Sequence, residues 1–185
     1  MHVSPRSRTS ILISASLVLA AAIGVSASAP SGRQKPPAKV DPAIMAKSVG
    51  DMTADEEGVF SDAAEATMER VCIACHPFEN IIKTRRTVRE WNDQVTVMKG
   101  RGAPGTDPDF ATISKYLIRY YGIVRVNTAT AEELTAVLGL SAKDAAAIVA
   151  HRSAHGKFAD LASLERVEGV DKAKLEEQPE ALRFD

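Results

Sequence analysis

Cys72-Ile73-Ala74-Cys75-His76 sets three chemically competent side chains within five residues. Two thiols three positions apart lie near one face of a helical turn, where each can bond a vinyl group of the same porphyrin. The imidazole that follows would sit under the ring, with its nitrogen on the iron as proximal ligand. This is the attachment pattern of one covalent haem c. A redox dithiol, half of a zinc site and a structural disulfide use the same thiol spacing. Zinc would need more thiolates or histidines close by, and none follow. The chain has two cysteines, and both are in this motif.

A sixth iron ligand is wanted from elsewhere. Met98 is the only methionine after the motif, and a thioether sulfur favours reduced iron and raises the potential relative to a second imidazole. A core methionine on an amphipathic helix is the other use of that residue. An open position, or a histidine from elsewhere, would take the place of Met98. His151 and His155 flank Arg152 in what the sequence makes a loop, either as a distal ligand or as exposed histidines. Lys83, Arg85, Arg86 and Arg89 gather shortly after the motif. They can pair with haem propionates, dock an acidic redox partner, or form a solvated helix start. Trp91 can give its indole N–H to a propionate or fill the core.

These residues need export and a scaffold. Arg6 and Arg8 precede the uncharged apolar stretch Ile11 to Val25, and small residues follow through Ala29. That is a secretory signal pattern with a cut expected after Ala27, so residues 1–27 read as leader. Left uncleaved, Ile11 to Ala29 could span a bilayer, which is the one route to a membrane partner. Residues 28–44 are proline-rich and read as a tether. The full chain, 45% hydrophobic with a formal charge of -1, can build a core beyond the tether and carries no basic excess for nucleic acid.

Residues 45–123 read as an all-α haem domain. Thr53 and Glu56 have capping-box spacing, and Phe60, Ala64, Met68 and Val71 then form one apolar stripe ending at the cysteines. Thr87 to Lys99 predicts a second helix with Trp91, Val95 and Met98 on one face. Asp107-Pro108 predicts the N-cap and first residue of a third, with Phe110, Ile113, Leu117 and Tyr120 buried. With Arg85-Arg86-Thr87, Glu90-Trp91, Met98 and Arg101-Gly102-Ala103 added, this part resembles small monohaem cytochrome c domains. The resemblance implies that the first and last helices cross, with Tyr116 and Tyr120 near the crossing.

Residues 124–185 contain the same turn twice, at Gly139-Leu140-Ser141 and Gly169-Val170-Asp171, each leading into a helix. Thr130 and Glu133 again have capping-box spacing. With Val126-Asn127, Ile148, Arg152, Gly156-Lys157-Phe158 and Leu164, the segment resembles the tandem helix-hairpin-helix domain of the competence DNA-receptor family. In relatives that bind DNA, the resemblance implies a glycine at the third turn position, where the backbone approaches a phosphate. Here serine and aspartate stand there. Ser141 with Asp144 makes a self-contained cap, and Asp171 repels phosphate. Residues 124–185 also hold eight Lys/Arg against eleven Asp/Glu, although Lys143, Arg152 and Lys157 could cluster.

The expectation is an all-α exported chain, a cytochrome c-like domain followed by a helix-hairpin-helix pair. It would reside in the periplasm or otherwise outside the cytoplasm. It would carry single electrons between periplasmic or membrane-attached redox proteins, without enzymatic activity. Two alternatives stand beside this. One is an exported DNA-binding protein of the competence-receptor type with an added haem domain, DNA being the less favoured partner. The other is the haem subunit of a periplasmic dehydrogenase.

Overall fold

Short-range capping chemistry starts most of the long helices. The computed structural model describes residues 41–185, so the leader at 1–27 and most of the tether assigned to 28–44 lie outside the described residues. The short helix α1 (Pro42–Ala46) begins within the tether stretch, with Asp41 Oδ1 accepting from the Ala43 N–H at 2.8 Å. A 3-10 turn (Val49–Asp51) leads into α2 (Ala54–Val71). Thr53 and Glu56 form the reciprocal capping box there, and Phe60, Ala64, Met68 and Val71 are the buried residues of α2, as the apolar stripe predicts.

Cys72-Ile73-Ala74-Cys75-His76 occupies the turn after α2. It is followed by a short helix the periodicity does not announce, α3 (Phe78–Ile82), fixed by Phe78 packing edge-on to Tyr121 at 5.8 Å. Next come α4 (Val88–Gly100), boxed by Thr87 and Glu90, and α5 (Asp107–Tyr121). The expected N-cap of α5 needs correction by one residue. Thr106, not Asp107, is the cap, because Thr106 and Asp109 satisfy each other's N–H groups reciprocally, which Asp107 cannot do. α5 packs on both α2 and α4. At the α2 contact Tyr116 donates its hydroxyl to Glu65 at 2.9 Å and lies against Tyr120, which is where the resemblance implies the aromatics to be. Burial and Glu65 together push the Tyr116 phenol well above its ordinary range.

After α5 the chain makes β1 (Val124–Arg125), α6 (Ala131–Leu138), α7 (Ala142–His155), α8 (Leu161–Leu164) and α9 (Lys172–Glu176). A 3-10 turn (Pro179–Ala181) and β2 (Leu182–Arg183) end it. β2 pairs in parallel with β1, Val124 opposite Leu182, and ties the end of this segment to its beginning. The all-α expectation holds, since these two-residue strands are the only paired strands among the described residues. One hydrophobic cluster runs from Val49 through Phe60, Trp91 and Leu117 to Leu134, Leu140 and Leu182. Among the described residues no helix is long and apolar enough to cross a membrane.

Candidate functional site

α2 ends where its ladder gives way to a turn. The Cys72 and Ile73 N–H groups both reach back to the Met68 carbonyl, at 2.8 and 3.2 Å, and the Cys75 N–H bonds the Cys72 carbonyl at 3.3 Å. Cys72 is half-buried and Cys75 exposed, and the two are not bonded to each other. Burial, with a smaller contribution from the Cys75 thiol, pushes the Cys72 thiol up. Both cysteines and His76 line a cavity of about 530 Å3.

α4 and α5 build the remaining walls, with Trp91, Val95, Met98, Phe110, Ile113 and Leu117. The end of α4 sets the position of Met98. Gly102 takes φ 89°, a left-handed conformation that glycine adopts without a Cβ clash, and the Ala103 N–H turns back to the Met98 carbonyl at 3.1 Å. The same turn brings Arg101 to the cavity wall, beside Lys83 and Arg86. No carboxylate lines the cavity among the described residues. Arg101 was not singled out from the sequence as a contact residue. The glycine one position after it was the available signal, since it ends the helix there.

The donor set fits a haem c. The two thiols and an imidazole line one largely apolar cavity with a thioether, and Lys83, Arg86 and Arg101 line it too. His76 Nδ1 is buried and has no hydrogen-bond partner among the described residues.

Other candidates from the sequence are placed elsewhere or committed. Arg86 is on the cavity wall, its guanidinium 5.0 Å from the Trp91 ring centroid and donating to the Thr84 carbonyl at 2.9 Å. Its backbone is clamped as well, bonded to Tyr121 and Ile123. Arg85 turns away. It donates to the Tyr120 and Gly122 carbonyls at 3.1 and 3.2 Å and pairs with Glu180 at 2.5 Å. Trp91 is on the wall, but its indole N–H donates to the Tyr121 carbonyl at 2.9 Å. His151 and His155 are on α7 rather than in a loop, since the helix runs through to His155. Their rings stack at 4.4 Å, His151 also stacks on Phe158, and neither lines the Cys72 cavity.

The two hairpin turns differ from each other less in shape than in surroundings. Gly139 and Gly169 both have positive φ, 67° and 83°. Ser141 Oγ accepts from the Asp144 N–H at 3.1 Å and Asp171 Oδ1 from the Ala173 N–H at 3.0 Å, so each helix start is capped by its own side chain. Arg152, a candidate cation for phosphate, points inward and donates to the Val126 and Ala129 carbonyls at 2.6 Å each. Asn127 bonds Phe158 and Phe184 and pins the module's two ends together.

Residues 121–183 match the helix-hairpin-helix motif family. A Haemophilus influenzae protein described as uncharacterized is 42% identical over 62 residues, covering 33% of this chain and 55% of that protein. The chain thus spans about half the length of the curated relative it matches. No solved structure matches.

Proposed function

We propose that this chain is an exported c-type cytochrome that carries single electrons between redox proteins, with the helix-hairpin-helix segment as a docking module. One observation carries the reading: Cys72, Cys75, His76 and Met98 come from two separate helix ends and line one apolar cavity. Cys72 and Cys75 would hold a haem c through thioethers, His76 would be the proximal ligand and Met98 the distal one. When bound, the haem supplies one-electron chemistry. Trp91, Phe110, Ile113 and Leu117 exclude water from one side, which lowers the local dielectric and tunes the potential. Lys83, Arg86 and Arg101 offset the carboxylate charge, Arg86 being already held in place by Thr84 and Trp91. Export is read from the leader pattern, and the periplasm is the compartment it supports.

Acid–acetone extraction of the protein made in an exporting host with haem attachment machinery tests this. The haem is expected to stay with the polypeptide. It should be lost in the Cys72→Ala/Cys75→Ala double variant. Haem that extracts freely from the native chain would overturn the proposal.

The comparisons reach the C-terminal module alone, and on their own they favour a second reading, an exported DNA-binding protein with an added haem domain. A gel shift of the whole chain across a salt series separates the two. Tight binding that falls steeply with salt supports the DNA reading. Weak or no retardation supports the carrier.

A further inference from the structure

Val95 and Phe110 line a second cavity besides that of Cys72, one of about 570 Å3 walled by α4 and α5. With Val49 and Ile118 they make a buried apolar floor, and Ser48, Asn92 and Ser114 add polar groups to the lining. Its charged residues are Lys99, Asp107 and Lys115. Lys99 and Asp107 are exposed and pair with each other at 2.5 Å. Lys115 is half-buried, its ammonium 5.1 Å from the centroid of the Phe60 ring. The neighbouring carboxylates are taken, Glu56 by Lys47 and Asp107 by Lys99, and Lys115 is in no ion pair among the described residues. It donates instead to the Met45 carbonyl at 3.2 Å and to the Lys47 carbonyl. An ammonium has three N–H donors, so one is left.

We propose that this cavity binds a small amphipathic carboxylate, with its head on Lys115 and its apolar body on the floor of Val49, Val95, Phe110 and Ile118. One unanswered cation with one free N–H suits a monoanion, and a hydrogen bond between two charged groups is the stronger kind. A dianion such as phosphate would want more than one free cation, whereas the buried floor rewards a hydrocarbon chain or a ring. The volume lies within the range of small-molecule sites, roughly 300–1,000 Å3. The two carbonyl bonds hold the ammonium in place beforehand, so little side-chain freedom remains to be lost on binding. Burial also pushes the Lys115 ammonium below its ordinary range, a penalty on the charged form that a bound carboxylate offsets. The site depends on neither the haem reading nor the helix-hairpin-helix match, so it can fail without them.

Calorimetric titration of the full chain with octanoate, kept below its micelle concentration, tests it. One saturable site is expected. Acetate has the same head without the chain, and 1-octanol the chain without the charge. Each should bind at least about tenfold more weakly than octanoate. Lys115→Gln should weaken octanoate binding by about tenfold. Should Lys115→Gln lose its helical circular dichroism, Ala111→Trp serves in its place. Ala111 is an exposed residue of the lining, and a ring built there fills the cavity and should abolish binding with the fold kept. The absence of a saturable site in the native chain would overturn the proposal. So would acetate or octanol binding as tightly as octanoate, or unchanged affinity in whichever of the two variants folds.

Discussion

Met98 stands at the last turn of α4 with its carbonyl already taken by Ala103, so the Schellman end rather than packing alone orients it. If its sulfur is the distal ligand, Met98→Ala should remove the weak band near the red end of the oxidised spectrum and lower the potential, since thioether favours reduced iron. An unchanged spectrum would return Met98 to a wall residue. Trp91 has a different kind of role. It is fully buried, donates to the Tyr121 carbonyl and carries the Arg86 guanidinium on its face. Trp91→Phe keeps much of the apolar volume but leaves that carbonyl without its donor, and should cost about 1–2 kcal/mol by urea unfolding. A loss below measurement error would mean that water replaces the indole.

The helix starts share one device. Thr87 Oγ1 accepts from the Glu90 N–H while Glu90 Oε2 accepts from the Thr87 N–H and hydroxyl, and Thr53 and Thr130 open α2 and α6 the same way. Thr87→Ala should destabilise the chain by about 1 kcal/mol. Asp109 plays the matching part at Thr106 and also takes a hydrogen bond from Arg70 at 2.6 Å. Arg70 is the first cause, with Thr106 behind it, that holds the Asp109 carboxyl below the usual aspartate range. The unfolded chain therefore protonates first on acidification. The stability this group contributes is complete above the ordinary carboxylate range and is lost as pH falls through that range toward the depressed folded value. Urea midpoints measured between about pH 6 and pH 3 should fall less steeply for Asp109→Asn than for the native chain. Parallel slopes would show that the pair contributes nothing.

At the scale of the described residues as a whole, one core joins the segment that carries Cys72 to the hairpin module. α5 lines the Cys72 cavity through Leu117 and reaches the first hairpin two residues later through Arg119. Unfolding followed by Trp91 fluorescence and by the far-ultraviolet signal should therefore coincide in one transition. Two separated transitions would mean that the shared core does not couple the segments. The hairpins should respond differently to repair. In the full chain, Asp171→Gly should strengthen duplex binding at low salt, because it removes a carboxylate from an exposed turn. Ser141→Gly should do less, because it removes a neutral cap and no charge. Equal gains from both changes would show that backbone freedom rather than charge sets the difference.

The sequence by itself determined what depends on near neighbours. Thr-x-x-Glu spacing located the starts of α2 and α6, since a cap needs only its own third residue. The stripe from Phe60 to Val71 identified the buried face of α2. Even here one local competition was misjudged, where Thr106 outbid Asp107 through its reciprocal partner. Tertiary structure decided what depends on residues far apart in the chain. Lys83, Arg85, Arg86 and Arg89 read as one basic cluster, yet Arg85 turns to Tyr120, Gly122 and Glu180 while Lys83 and Arg86 line the cavity. Arg119 carried no signal on an otherwise apolar helix face, because only folding sets Glu57 and Glu177 around it. The pairing of Val124 with Leu182 and the seat of Gly50 on Leu140 were equally silent. Such contacts depend on how helix faces meet once the shared core forms, and no spacing along the chain encodes that directly.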